Sequence, residues 1–110
     1  MSDRDEGTER LRALLSEDPN ISEKKMFGGV VFMLNGNMLC GYTSAAQLMV
    51  RVGKALEAEA RLLPGARDMD ITGQKMGGML LVDNDALQSD DALLQWIAIA
   101  TRFVGSLPPK

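Results

Sequence analysis

The sequence predicts an α+β fold, a two-layer domain in which helices pack on an antiparallel β-sheet of five to six strands. Two observations predict this fold class. Residues 30–42, VVFMLNGNMLCGY, contain two apolar runs joined by Asn35-Gly36, a residue pair that favours a tight hairpin between antiparallel strands. Residues 90–104 repeat apolar side chains at helical spacing, and shorter apolar runs lie between these two segments.

Length and composition indicate one domain. The chain has 110 residues, of which 45% are apolar and 25% are charged, as in ordinary globular proteins. We expect residues 1–7 to be a flexible leader and residues 8–110 to be a single domain. The acidic start is unlike a signal peptide, and no apolar run reaches the roughly 18 residues that span a bilayer. The sequence therefore predicts a cytoplasmic protein without membrane contact.

The composition also argues against several kinds of site. One cysteine and no histidine cannot supply a disulfide within the chain or the usual four-ligand zinc sites. A net charge of -3 argues against broad phosphate binding, which needs clustered lysine and arginine. We expect no metal and no other cofactor, and direct nucleic-acid binding is the least favoured function.

The N-terminal helix is predicted to begin at Thr8, because threonine is a common N-cap residue. Leu11, Leu14 and Leu15 then form one apolar stripe. Pro19-Asn20 ends the helical segment.

The hairpin that follows has a predicted register. With a two-residue loop, the facing pairs are Leu34–Asn37, Met33–Met38, Phe32–Leu39 and Val31–Cys40. One face would then carry Val31, Met33, Met38, Cys40 and Tyr42, and the other would carry Val30, Phe32, Leu34 and Leu39. A sheet with one face in water alternates polar and apolar side chains, whereas both of these faces are apolar. Each face therefore needs cover.

The middle of the chain alternates strands with a short helix. The predicted strands are residues 47–53, residues 67–75 with a turn at Thr72-Gly73, and residues 79–82, and the predicted helix is 55–63, ended by Pro64-Gly65.

The last helix is the longest. Ser89 or Asp90 caps it, and the carboxylates of its first turn complement the helix dipole. Its core stripe comprises Leu93, Trp96, Ile97, Ala100, Phe103 and Val104. Leu94, Ala98 and Ile99 lie off this stripe, so the helix is predicted to be buried on more than one side.

The predicted apolar surface exceeds what three short helices cover. A sheet that is apolar on both faces and a final helix without a wet face need more cover than 110 residues supply. We therefore predict a homodimer, whose interface uses one sheet face or the far side of the last helix.

Two similar segments, KMFGG at 25–29 and KMGGM at 75–79, are candidates for a site. Diglycine beside a strand can hold phosphate with its backbone N–H groups, and Lys25 or Lys75 adds positive charge. Neither spacing matches a phosphate-binding motif. We favour the structural interpretation, in which the glycines permit a bulge or a close strand approach.

Arg51 is charged but lies between two valines in a strand predicted for the core. In a structural role, its side chain either extends its guanidinium to solvent or forms an ion pair with Glu23, Asp68 or Asp70. In a functional role, its planar guanidinium binds an anion or a carboxylate. Sequence favours the structural role and leaves both open.

The other chemistry-bearing residues have structural interpretations. Cys40 in an apolar strand is a buried, inert thiol. Asp68 and Asp70 point the same way on an extended stretch, but nothing completes a catalytic site around them. Asp83 and Asp85 lack the later residues of a calcium loop. The eight methionines are more often core filler than a binding surface.

Four segments in their order resemble the N-terminal domain of the TfoX/Sxy family, regulators of natural competence for DNA uptake in bacteria. The segments are KKMFGGVVFMLNGNMLCG, LMVRVG, ARDMDITGQKMGGMLLVD and WIAIATRFVGSLPPK, and the likeness runs from about Glu9 to Lys110. The resemblance implies a compact α+β domain with a regulatory or partner-binding role. Full-length relatives act on transcription alongside a cyclic-AMP-responsive DNA-binding activator.

The sequence departs from the family pattern in two places. Full-length relatives carry a C-terminal domain that resembles helix-hairpin-helix DNA binders, and this sequence ends before it, so we expect a stand-alone domain. The segment 74–79, QKMGGM, lacks a basic residue and an aromatic residue that the family usually has. Any nucleic-acid contact that the family makes there is weakened in this chain.

We therefore expect a regulatory protein-interaction domain that is not an enzyme, with transcription machinery or an activator as the partner. The candidate interaction or anion-binding residues are Lys25, Met26, Phe27, Gly28, Gly29, Arg51, Asp70, Thr72, Gly73 and Lys75. The alternative is an enzyme or a small-anion-binding protein that uses Arg51 and Lys75, with Asp68 or Asp70 nearby.

Overall fold

The computed structural model describes residues 3–26, 29–43, 46–71 and 74–109. It confirms the predicted α+β class, with three helices and six strands in this part of the chain. In chain order the elements are α1 (Asp3–Leu15), β1 (Ile21–Met26), β2 (Gly29–Leu34), β3 (Asn37–Tyr42), β4 (Leu48–Arg51), α2 (Gly53–Ala60), β5 (Ala66–Ile71), β6 (Gln74–Val82), a 3₁₀ turn (Asn84–Leu87) and α3 (Asp90–Val104).

The six strands form one open antiparallel sheet in the order β1-β2-β3-β4-β6-β5. The first four strands are sequential neighbours, and β6 returns to lie between β4 and β5. β1 and β5 are therefore the two edges of the sheet.

The helices pack on one face of the sheet. Leu11 of α1, Ala60 of α2 and Trp96 of α3 belong to one buried core together with strand residues such as Val50 and Leu80. Trp96 is the largest of the fully buried side chains. This core fixes the helical layer against the middle of the sheet.

α1 begins earlier than predicted. It starts at Asp3, so residues 3–7 belong to the helix, and Thr8 lies inside it, 8% exposed, rather than capping it. Gly7 explains the difference: a Cβ at this position would lie 2.5 Å from Cζ of Tyr42. Because Gly7 has no side chain, α1 lies directly on the Tyr42 ring.

The hairpin turn is confirmed, and the predicted register holds only next to it. Asn35 and Gly36 have φ values of 54° and 82°, and Leu34 and Met33 face Asn37 and Met38 as predicted. Beyond that point a β-bulge shifts the register, so that Phe32 faces Cys40 and Val31 faces Gly41. The predicted pairs Phe32–Leu39 and Val31–Cys40 are wrong.

The bulge also reassigns two side chains to the other face. Because side chains alternate along a strand, one extra residue turns all later residues over. Cys40 and Tyr42 therefore join Phe32 and Leu34 in the core under the helices, not Val31 and Met33 as predicted. The bulge absorbs Leu39, which is fully buried.

The opposite side of the sheet carries a second apolar cluster, which we call the methionine face. It consists of Val31, Met33, Met38, Met49, Met79 and Leu81, and all of these residues lie in strands. No helix of the described residues contributes to this cluster.

The centre of the methionine face is buried, although no described helix packs on it. Val31 and Met49 are each 1% exposed. Gly41 lies between them in the ladder, facing Val31 on one side and Met49 on the other, and a Cβ on Gly41 would lie 3.3 Å from Cγ2 of Val31. The centre of this face is therefore buried within one chain, whereas Met33, Met38 and Leu81 keep part of their surface exposed.

One face of α3 is exposed to solvent, whereas the sequence predicted a helix without an exposed face. Leu94 is 42% exposed and Ala98 is exposed, whereas Ile99 is buried. The start of the helix is as predicted, because the Ser89 hydroxyl accepts a hydrogen bond from the Ala92 N–H at 3.1 Å. Within the described ranges, the structure contains no helix of the length and apolar character needed to cross a bilayer.

The glycine of KMGGM that the structure describes in detail has a structural role. Gly78 has a φ of 82°, and a Cβ there would lie 3.2 Å from the Cα of Gly53. The Val52 N–H donates to the Gly78 carbonyl at 2.9 Å. Gly78 therefore allows β6 to pass directly against the start of α2, as the structural interpretation of the diglycine requires.

Replacing Gly78 with alanine is expected to lower the free energy of unfolding by about 3 kcal/mol, because the side chain meets both an unfavourable φ and the Gly53 backbone. Gly36→Ala is the matched control, since Gly36 has the same φ of 82° but is exposed in a turn. It should cost only about 1 kcal/mol. Urea unfolding measures both values, and equal losses would contradict the packing role of Gly78.

Candidate functional site

Arg51 and Gly53 both lie next to an aromatic ring of the last helix. The Arg51 guanidinium lies over the ring of Phe103, with Cζ 5.5 Å from the ring centroid. A Cβ on Gly53 would overlap the same ring. The segment VRVG thus packs the end of β4 against α3. Arg51 contributes the cation–π contact, and Gly53 leaves room for the ring because it has no side chain.

None of the predicted ion pairs of Arg51 is present in the described part of the chain. Glu23 instead accepts hydrogen bonds from Arg12, at 2.7 and 2.9 Å, and Asp68 accepts one from Arg61. The side chain of Asp70 lies outside the described residues. The cation–π contact gives Arg51 a structural role different from the two that the sequence suggested.

The candidate residues of the two diglycine segments lie at different places in the sheet. Lys25 is exposed in the edge strand β1, and Met26 faces Gly29 where β1 and β2 are joined. Asp70 faces Lys75 near the other edge, in the β5–β6 ladder. The side chains of Met26, Asp70 and Lys75 are outside the described residues, as are Phe27, Gly28, Thr72 and Gly73 altogether.

The strand directions separate the candidates into two ends of the sheet. Gly29 begins β2 at the end where β4 also begins, whereas Arg51 ends β4 at the opposite end. β6 pairs antiparallel with β4, so Lys75 lies on the Arg51 side. The register therefore does not bring the MFGG strand start to the same end as Arg51 and the KMGGM segment.

The single thiol is buried, as predicted. Cys40 is 1% exposed, and burial raises the pKa of its thiol to about 12. A thiol that stays protonated at neutral pH is a poor nucleophile. Cys40 serves as a core residue.

The Tyr42 hydroxyl is a buried polar group without a hydrogen-bond partner in the described structure. Burial is the main cause that raises the Tyr42 pKa, and the nearby Arg10 charge acts in the opposite direction. Arg10 itself is used elsewhere, since it donates to the Leu87 carbonyl at 2.7 Å and to Asp90 at 3.1 Å.

The acidic side chains that the structure describes do not assemble a metal centre. Asp83 accepts hydrogen bonds from Arg67 at 2.8 Å and from Gln47 at 3.3 Å, and these two bonds hold its pKa below the ordinary value. No group of three histidine, cysteine or carboxylate ligands occurs in the ranges that the structure covers. Asp83 thus closes the end of β6, in agreement with the predicted turn.

The methionine face has accessible positions and cationic neighbours. Met33, Met38 and Leu81 are half-buried, in contrast to Val31 and Met49 at its centre. One row of facing positions crosses all six strands on this side of the sheet: Lys24, Val31, Gly41, Met49, Leu81 and Arg67. The row begins and ends with a cation.

Sequence reasoning missed two contacts that fix the last helix and its tail. Phe103 packs against the core, as the predicted stripe requires, and its ring is also the partner of Arg51, which the sequence did not indicate. Asn37, only 3% exposed, donates from its side chain to the Pro108 carbonyl at 2.9 Å, which binds the tail after α3 to the hairpin. A polar residue at a strand start, directly after a tight turn, was the available signal for the second contact.

Comparison with known proteins identifies one family. The family model described as the TfoX N-terminal domain matches residues 13–104. The match runs from near the end of α1 to the last residue of α3. Searches of curated proteins and of solved structures found no match. The family match and the fold agree with each other, and the chain belongs to the TfoX N-terminal domain family.

Proposed function

We propose that this domain is a regulatory protein-interaction domain of the bacterial cytoplasm, and that it acts on transcription through a partner protein, as a co-regulator of DNA uptake. Membership of the TfoX N-terminal domain family supports the regulatory role. The domain itself catalyses no reaction in this proposal.

The observation that carries the proposal is the methionine face. Met33, Met38 and Leu81 are half-exposed on a sheet side to which no described helix contributes. Unbranched thioether side chains adapt their shape to a partner surface more readily than branched ones. The basic residue of the row at the β1 edge, Lys24, has no described ion pair, so it can contact carboxylates of the partner.

The internal contacts leave little for catalysis. Arg51 is placed on Phe103, Cys40 is buried, and Asp68 and Asp83 are bonded to arginines. A general acid or base needs a group within hydrogen-bond reach of a substrate, in a cleft that excludes water. Arg51, Cys40, Asp68 and Asp83 are engaged in packing and ion pairs instead.

In-cell crosslinking of the tagged protein tests the proposed function. We expect a specific partner whose affinity falls about fivefold in Met33→Gln, because a polar amide replaces apolar contact area. Ala58→Gln, a change to the same amide on the exposed side of α2, is the control and should leave binding unchanged.

Two outcomes would contradict this proposal. One is the absence of a specific partner for the unmodified protein. The other is tight binding to duplex DNA with a steep inverse salt dependence, which would indicate direct nucleic-acid contact.

The homodimer remains a second proposal, now supported by the outer side of α3. Leu94 and Ala98 lie one helical turn apart and are both exposed. We expect light scattering at micromolar concentration to give about twice the chain mass of 11.9 kDa, and Leu94→Glu to return it to one chain. A single-chain mass for the unmodified protein would reject the dimer.

Anion binding by Arg51 and Lys75 is the alternative function, and an Arg51 variant separates it from the structural role. We expect Arg51→Ala to lower the free energy of unfolding by about 1 kcal/mol through loss of the cation–π contact, and Arg51→Lys to lower it less. Phosphate should leave the thermal midpoint of all three proteins unchanged. Stabilisation by phosphate that disappears in Arg51→Ala would favour the anion site instead.

A further inference from the structure

The edge strand β1 has backbone groups directed away from the sheet. The Asn35 N–H donates to the Asn20 carbonyl at 3.0 Å, so the backbone at Asn20 faces β2. In an antiparallel ladder the direction alternates with each residue. Ser22 and Lys24 therefore face β2, and the outward groups belong to Ile21, Glu23 and Lys25.

Two of these outward N–H groups remain available. The Ile21 N–H already donates to the Asp18 carbonyl at 3.2 Å. Among the described residues, the N–H groups of Glu23 and Lys25 and the carbonyls of the outward residues have no hydrogen-bond partner, so they form an open row along the edge. Such a row is the template onto which an additional strand pairs.

A groove runs beside this edge on the helix side. It has a volume of about 380 Å³ and lies between the C-terminal half of α1 and β1. Leu15, Ile21 and Phe32 provide its apolar surface, and Arg12 and Glu23 form an ion pair at its rim. Because side chains of an added strand alternate between faces, every second one would point into the groove.

The charges of β1 select the chemistry of the added strand. Lys24 and Lys25 are both exposed and have no ion pair within the described residues, whereas Glu23 is neutralised by Arg12. Opposite charges on facing residues of adjacent strands stabilise a pair, and like charges destabilise it. The edge therefore favours carboxylates opposite the two lysines and an apolar residue opposite Ile21.

A second copy of this chain fits the edge less well. A two-fold pairing of β1 with its own copy, with both helical layers on one side, places one residue opposite itself. With Glu23 at the axis, two carboxylates meet. With Lys24 at the axis, two lysines meet, and Glu23 then faces Lys25 but already accepts hydrogen bonds from Arg12.

We propose that β1 binds an extended, acidic segment of the partner protein, which adds to the sheet as a seventh strand with an apolar side chain in the α1–β1 groove. This inference rests on the proposed function, since it names the segment by which the partner is held. The added strand would also extend the methionine face, because Ser22 faces Met33 across the ladder.

A peptide designed to the register of β1 tests the inference. The probe, acetyl-Glu-Glu-Thr-Val-Leu-amide, runs antiparallel with its two glutamates opposite Lys25 and Lys24 and its leucine opposite Ile21. We expect NMR titration to slow hydrogen exchange of the Glu23 and Lys25 amides, which face outward, and to leave the protected Ser22 and Lys24 amides unchanged. The charge-reversed peptide, acetyl-Lys-Lys-Thr-Val-Leu-amide, should bind about tenfold more weakly.

Variants of Lys25 separate the hydrogen bond from the charge. Lys25→Pro removes an outward N–H and leaves the β1–β2 ladder intact, so the fold should persist while peptide binding falls about tenfold further than in Lys25→Gln. The double variant Lys24→Glu with Lys25→Glu should prefer the lysine peptide. Equal binding of both peptides to all variants, or no amide protection in β1, would overturn the proposal.

The same variants distinguish this proposal from the proposed function. If crosslinking finds a partner that is lost in Met33→Gln but kept in Lys25→Pro, the interaction domain stands and the β1 site is wrong. If the unmodified protein has a two-chain mass that Lys25→Pro reduces to one chain, the edge binds a second copy, which also overturns the acidic-segment proposal.

Discussion

The bare backbone contact between Gly78 and Gly53 is the constraint on which the rest of the structure depends. After β4 the chain leaves the sheet through α2, forms the far edge β5, and must return as β6 beside β4. The return brings β6 against the first residues of α2, where a Cβ on Gly78 would meet the Gly53 backbone. The absence of side chains at both positions lets β4 and β6 pair and lets Phe103 pack on the same turn.

The second constraint is that one helical layer must serve a sheet with two apolar faces. The protein solves this with side chains of different kinds on the two sides. Under the helices lie aromatic and branched residues, and on the other side lie four methionines together with Val31 and Leu81. The bulge at Leu39 makes this division possible, since it moves Cys40 and Tyr42 from the methionine side into the helical core. The remaining half-exposed methionines lie at the periphery of the cluster.

Local signals predicted the elements well, and non-local contacts account for what they missed. The Asn35-Gly36 turn and the Ser89 cap depend on residues within a few positions, so their chemistry is legible in the sequence. The start of α1 depends on Gly7 meeting Tyr42, and the role of Arg51 depends on Phe103, 52 positions later in the chain. A bulge leaves no pattern when both strands are apolar throughout, because either register looks equally favourable.

The charge distribution gives the molecule a direction of approach. The strands hold more cations than carboxylates. Their five cations are Lys24, Lys25, Arg51, Arg67 and Lys75, and their three carboxylates are Glu23, Asp68 and Asp70. The helices and loops hold the other twelve of the fifteen acidic residues.

In the proposed interaction, the excess of twelve carboxylates over seven cations outside the strands disfavours an acidic partner there, and the lysines of β1 favour it at the edge. Long-range attraction of this kind sets the orientation of encounter more than it sets affinity, and salt screens it. Affinity must then come from contacts that form after the encounter. In the proposed complex, these contacts are made by the outward N–H groups of Glu23 and Lys25 and by the groove between α1 and β1. In the proposed interaction, a protein with an overall charge of -3 binds an acidic segment through a local group of cations.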